Sequence, residues 1–281
     1  MAVADVPPAA SASPEDLLDR AAYPVTAIGS DARAALVARC RAQLAKNGAC
    51  ELAGFVTAAA TARMVEESDT LVPVGHHAAG PITSYLDAPD ASLPADHPRR
   101  WLGRSSLAAV AYDLIPPTHA LRALFEWVPL MTFLADVLGV PRLYRYADPF
   151  GALNVAVMRE GDELAWHFDQ TDFVVSIALR DADEGGDFEY APHVRSADDE
   201  RYDDVRAVLD GDPARVKRVP MTPGTLLLFQ GRYSLHRVTK IRGATSRLVA
   251  LLAYDTKPGT VSSDLLRLAR YGRSVPSTAS S

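Results

Sequence analysis

The apolar positions change period near the middle of the chain. In the first half the runs are helical: Ala35, Leu36, Ala38, Cys40 and Leu44 keep roughly helical spacing, Ser30 stands where a cap belongs, and Asn47-Gly48 closes the run after Lys46. Ser13-Pro14-Glu15 reads as an earlier helix start, with Ser as cap and Pro at the first helical position. Further helices are predicted from Thr57 to about Asp69, from Pro116-Pro117-Thr118 through Trp127, and from about Pro129 to Leu138, where Gly139 ends the run. A short strand at Cys50–Phe55 precedes the Thr57 cap.

After Pro141 the alternation becomes strand-like. Strands are predicted at Leu143–Tyr146, Ala152–Met158, Leu164–His167, Phe173–Leu179, Phe188–Ala191, Val216–Val219, Thr225–Phe229, Tyr233–Val238 and Ser246–Tyr254. Turn signals separate them: Asp148-Pro149, Glu160-Gly161-Asp162, Glu184-Gly185-Gly186, Pro223-Gly224 and Arg242-Gly243. A charged insertion at Ser196–Asp212, with room for one short helix, interrupts the series. Many short strands at this spacing mean a sandwich or a jelly roll. The segment Val72–Arg104 has little periodicity and many Pro, Gly, Asp and His residues, so it reads as a lid, a binding loop or a mobile stretch. The expected organisation is one domain over 14–273, with a helical elaboration at 14–140, a β core at 141–256 and a closing helix within 260–273. Tails at 1–13 and 274–281 flank it.

Composition narrows the function classes. The net charge of −6 and pI near 5.6, without a Lys/Arg-rich stretch, argue against a nucleic-acid platform. No uninterrupted apolar segment is long enough to cross a bilayer, and the first residues lack the basic and apolar regions of a secretory signal. Two cysteines, Cys40 and Cys50, make neither a disulfide framework nor a zinc site by themselves, and read as small buried apolar residues. The expectation is a cytoplasmic, reduced protein with no membrane partner.

The candidate chemistry begins with Ala165-Trp166-His167-Phe168-Asp169-Gln170, a His-x-Asp where an apolar strand ends. Alternation puts His167 and Asp169 on one face and Phe168 on the other. His236 has a strand setting in Arg232–Val238, and Arg247 follows eleven residues later (247 − 236 = 11) in a nearly all-apolar run. Two imidazoles and a carboxylate on one face of a metal leave the opposite positions open, which suits non-haem Fe(II) oxygen chemistry. Each piece has a plainer reading. His236 could be a hydrogen-bonded core histidine, and Arg247 could pair with Asp172 or Glu189. A buried Arg is otherwise expensive unless something anionic meets it. The adjacent His76-His77, with no third ligand nearby, reads as a solvated loop pair.

Taken together and in this order, His167, Asp169, His236 and Arg247 resemble the Fe(II)/2-oxoglutarate-dependent dioxygenase superfamily over Tyr144–Tyr254. Asp169–Ser176 and Gly185–Tyr190 are more particularly similar to the branch of free-amino-acid halogenases and their hydroxylase relatives. The resemblance implies a mainly β, α+β fold: a double-stranded β-helix (jelly roll) core with N-terminal helices packed on it. It implies Fe(II) held by His167, Asp169 and His236, 2-oxoglutarate as co-substrate with its distal carboxylate on Arg247, and O2 as oxidant. An unactivated C–H of a free amino acid or similar small metabolite is then hydroxylated, with succinate and CO2 released. Halogenases of the branch carry Gly in place of the carboxylate ligand, so Asp169 points to hydroxylation. Many relatives have Arg-x-Ser for the co-substrate; here Val249 takes the Ser position, and Asn154 is the candidate second contact. Gln170 and Asp172 are candidates at the pocket mouth, and Arg104 for a substrate carboxylate. Alternatives are an oxygenase of a protein side chain or carrier-tethered substrate, and a non-catalytic metal-binding jelly-roll module.

Overall fold

The computed structural model describes residues 13–276, so of the tails expected at 1–13 and 274–281 all but Ser13 and residues 274–276 lie outside the described residues. The N-terminal part alternates helices with strands: α1 (Asp31–Asn47), β1 (Ala49–Leu52), α2 (Ala58–Asp69), β2 (His76–Thr83), β3 (Leu102–Val110), α3 (Ala120–Glu126) and α4 (Val128–Leu138). The β-rich part follows as β4 (Tyr144–Arg145), β5 (Leu153–Met158), β6 (Leu164–His167), β7 (Val174–Arg180), β8 (Phe188–Ala191), α5 (Tyr202–Leu209), β9 (Lys217–Val219), β10 (Leu226–Phe229), β11 (Leu235–Val238), β12 (Arg247–Leu252) and β13 (Tyr254–Asp255). Helix α6 (Asp264–Tyr271) closes the chain.

The caps form where the sequence puts them. Ser30 Oγ accepts from Arg33 N at 3.2 Å, and Thr57 Oγ1 from Ala60 N at 3.2 Å. Gly48 ends α1 with φ +67°, a left-handed conformation that favours glycine. The start at Ser13 is a single 3₁₀ turn, Pro14–Leu17. The helix expected from Pro116 begins only at Ala120.

Two antiparallel sheets face each other. The larger runs β1-β10-β7-β12-β5-β3-β2 and the smaller β6-β11-β8-β9, which is the strand arrangement of a jelly roll. Both faces of the large sheet are covered, so its strands read as continuous apolar runs. Val155, Val157, Val175, Ile177, Leu248 and Ala250 turn outward into the main core with α1, α2 and α4. The alternate residues of those strands face the small sheet: Asn154, Ala156 and Met158 from β5, Ser176 and Ala178 from β7, and Arg247, Val249 and Leu251 from β12. The polar members of that inner face are Asn154, Ser176 and Arg247, all buried.

One sequence expectation is corrected. The supposedly irregular Val72–Arg104 contains β2, which pairs with β3 from His76↔Ala109 to Thr83↔Leu102. His76-Pro81 lacks β-branched residues and carries Gly80 and Pro81, so its strand character comes from its partner and not from its own propensity. Proline is tolerated because β2 is the sheet edge. The His pair is therefore on a strand, where His77 Nε2 lies 3.0 Å from the Asp162 carboxylate.

Candidate metal centre

Strands β6 and β11 are neighbours in the small sheet, and their register places His236 directly opposite His167. The rings lie 4.2 Å apart between centroids. Asp169 follows just beyond β6, its backbone N–H donating to Gly231 O at 3.1 Å. The ligand atoms of the three residues all lie within 4.8 Å of one another, and among the described residues this is the one such group of His, Cys, Asp and Glu.

Each imidazole is oriented by the backbone. His167 Nδ1 is 2.8 Å from Ala165 O, and His236 Nδ1 is 3.0 Å from Ser234 O. A carbonyl only accepts, so both Nδ1 atoms carry the proton and both Nε2 lone pairs face the shared space. Phe229 meets the His236 ring edge-on at 4.9 Å and restricts it further. Burial, and then the neighbouring His236, push the His167 imidazole down to about 4, so it is neutral at pH 7. Burial alone would raise the Asp169 carboxyl, but His236 and His167 hold it below the usual carboxylate range. Asp169 is seated against glycine: a Cβ on Gly231 would stand 1.6 Å from Asp169 Oδ2. Two imidazoles and one carboxylate, converging and walled in, are the donor set of a divalent metal with open positions.

Arg247 begins β12 opposite Met158 and is buried, its Nη1 3.9 Å from Met158 Sδ. Neither acid considered as its partner reaches it. Asp172 pairs with Arg232 at 2.5 Å, and Glu189 with Arg237 at 2.7 Å. Burial pushes the guanidinium down to about 10, with Asp181 and Asp187 opposing, so it stays charged at neutral pH. It borders a cleft of about 370 Å³ with Gly186, Phe188 and Met221. Asn154, four residues along β5 from Met158, is 6% exposed, and its Oδ1 is buried without a hydrogen-bond partner. It lines a cavity of about 240 Å³ at the other end of the sandwich.

The remaining sequence candidates fall elsewhere. Asp172 is 76% exposed in its ion pair with Arg232, and the exposed Gln170 meets Arg232 through its carbonyl. Arg104 is exposed on β3, opposite in alternation to Ser105, whose hydroxyl accepts from Ala165 N beside the site. A residue that sequence reasoning missed is Arg270, on α6. It lines the Asn154 cavity, and its charge depresses both His167 and Asp169. Only the chain's return across the sandwich brings it there, and no local pattern marks it. A larger hollow of about 670 Å³, between α3, α4 and β4, holds none of the candidates.

A sandwich of this strand order, with His-x-Asp and a distal His converging between its sheets and a buried Arg on the adjoining strand, defines an Fe(II)/2-oxoglutarate-dependent oxygenase. The chain belongs to the Halogenase D family, whose profile matches residues 103–264. Among solved structures it is similar to an oxidoreductase of the 2OG-Fe(II) oxygenase family from Burkholderia pseudomallei (16% identity, 80% of this chain and 92% of that one, TM-score 0.51). It is also similar to a prolyl hydroxylase from Trichoplax adhaerens, solved with a hypoxia-inducible-factor peptide (15%, 79% and 90%, 0.53). A third is HygX from Streptomyces hygroscopicus, solved with nickel, 2-oxoglutarate and hygromycin B (15%, 81% and 93%, 0.51). At such identities the likeness establishes the fold and nothing finer. No curated protein matches the sequence.

Proposed function

We propose that the protein hydroxylates an unactivated C–H of a free amino acid or similar small metabolite, and that residues 14–273 form its one catalytic domain. His167 Nε2, His236 Nε2 and the Asp169 carboxylate would hold Fe(II). Arg247 would take the distal carboxylate of 2-oxoglutarate, and the Asn154 amide would give that co-substrate a second contact. With O2, this pair supplies the oxidising power for C–H cleavage and releases succinate and CO2. The chain's own part is to fix both imidazole tautomers, present one buried cation to a dicarboxylate, and keep water from the reacting carbon.

The observation that carries hydroxylation over halogenation is the fit between Asp169 and Gly231. A halide ligand would need the position that this carboxylate fills, and would bring the same charge. The backbone at 231 has no Cβ to displace it. This assignment departs from the family's description, and it rests on Asp169. Free, buried Cys40 and Cys50 support a reducing cytoplasm as the working compartment.

The test is a reaction with Fe(II), ascorbate, 2-oxoglutarate and a panel of free amino acids, run in chloride and again in bromide. Mass spectrometry should find at least one product heavier by one oxygen, and no halogenated product. A halogenated product from the wild type would sink the hydroxylase assignment. Succinate release stimulated only by peptides or carrier-bound substrates would move the substrate class. Metal binding without succinate release from any substrate would leave a non-catalytic metal-binding module.

A further inference from the structure

Phe168 stands between the candidate ligands His167 and Asp169, with its side chain on the other side of the strand. There it is buried in a small cluster with Ala191, Val194 and Leu235. A cation covers its ring. The guanidinium carbon of Arg195 lies 3.9 Å from the Phe168 ring centroid and 5.2 Å from that of Tyr85. The Tyr85 ring itself leans on Phe168, with 5.2 Å between centroids. Arg99 covers Tyr85 in turn, at 4.3 Å.

The same guanidinium uses its in-plane donors on a second segment. Arg195 Nε donates to Arg232 O at 2.7 Å, while Nη1 meets the Glu200 carboxylate at 3.0 Å. Arg232 adjoins Gly231, whose carbonyl accepts from Asp169 N and whose bare backbone seats the Asp169 carboxylate. The chain then passes through Ser234, whose carbonyl orients the His236 ring. One planar group thus ties together, from behind, the segments 167–169 and 231–236 that carry all three candidate ligands. The Arg195 side chain is 13% exposed, so its stacking and hydrogen bonds are largely shielded from water. An ammonium could supply the charge, but not a flat face and a fork of donors at once.

We propose that Arg195 is a positioning residue of the candidate metal centre, acting through the Phe168 ring and the Arg232 carbonyl. The proposal rests on the metal-centre reading above. The face of the guanidinium fixes the rotation of the strand end that aims His167 and Asp169. Its edge fixes the turn that seats Asp169 and leads to His236. Glu200, at the start of the charged insertion, keeps the guanidinium in that plane. The insertion therefore has a role that its composition does not reveal: it supplies the anchor of the clamp.

The experiment is titration of metal-free, full-length protein with Co(II), whose visible absorption reports the geometry of its ligands. The wild type should bind one Co(II) per chain. Arg195→Met should bind it on the order of 10–100-fold more weakly, the scale of a lost support to a ligand, and with an altered spectrum at saturation. Arg195→Lys should do no better than Arg195→Met. Arg99→Met removes the cation from Tyr85 without touching Phe168 or Arg232, so its Co(II) affinity should stay within about twofold of the wild type. Glu200→Gln should show a smaller loss of the same sign. Wild-type affinity and spectrum in a folded Arg195→Met overturn the proposal. Full recovery by Arg195→Lys does so too, because charge alone would then suffice. An equal loss in Arg99→Met would make the effect one of general stability. Where circular dichroism shows that Arg195→Met is unfolded, undiminished Co(II) affinity in Glu200→Gln is the overturning result. If the wild type itself binds no Co(II), the metal-centre reading falls, and the proposal with it.

Discussion

A histidine that binds a metal near pH 7 must be neutral, with its proton on the nitrogen away from the metal. The chain supplies both at His167 from its own groups: Ala165 O holds the Nδ1 proton, as Ser234 O does for His236, and burial, with His236 beside it, depresses His167 to about 4. The second condition has a thermodynamic consequence. The ordinary value is 6.5, so between about pH 6.5 and 4 the unfolded chain binds the proton that the folded chain refuses. Stability from this group is complete above pH 6.5 and is lost as pH falls through the folded value. Asp169, also depressed, adds its loss only below its ordinary 3.8. Metal-free protein should therefore lose about 3 kcal/mol of unfolding free energy between pH 7 and 4, from a shift of two to three units at 1.36 kcal/mol each. Urea denaturation at several pH values measures it. A His167→Gln variant should flatten that slope, and an equal slope in the variant would assign it to other groups.

At the scale of elements, the site depends on two strands that meet and a turn that passes close to them. β6 and β11 were legible in the sequence because each is a short apolar run bounded by turn residues, and Leu164–His167 forms at its predicted bounds. β2 and β3 were not. Their Ala, Gly, Ser and Pro content carries no strand preference, and pairing alone makes them strands. Gly231 was equally silent, since only the folded turn between β10 and β11 brings it against Asp169. Arg270 needed the return of α6 across the sandwich. The candidate ligand residues were thus readable from local pattern, and the groups that seat and surround them were not. Gly231→Ala tests the seat directly. The added Cβ would overlap the Asp169 carboxylate and force it out of the converging set. Fe(II) affinity should fall on the order of 10–100-fold, as when a ligand's support is lost, while circular dichroism stays unchanged. Undiminished affinity would show that the carboxylate has another resting place.

Over the whole molecule, the two faces of the large sheet differ in what they bury. Its outward residues build a continuous core with the helices, while inward it holds Arg247, a guanidinium 6% exposed and without an ion pair among the described residues. An enclosed charge lacking its counter-ion is destabilising, and it persists where a ligand supplies that counter-ion. Arg247→Leu separates the two effects because they have opposite signs. Without 2-oxoglutarate the variant should be the more stable protein, by about 1–4 kcal/mol, because an apolar side chain replaces an uncompensated buried charge. With Zn(II) present, 2-oxoglutarate should raise the melting temperature of the wild type by mass action and leave the variant nearly unmoved. Its affinity for the variant should drop by about 2–5 kcal/mol, the scale of a broken buried charge pair. Thermal melts across a 2-oxoglutarate series read both quantities from one experiment. A variant that melts lower than the wild type, yet responds to 2-oxoglutarate as the wild type does, would make Arg247 a structural residue held by Asp181 and Asp187.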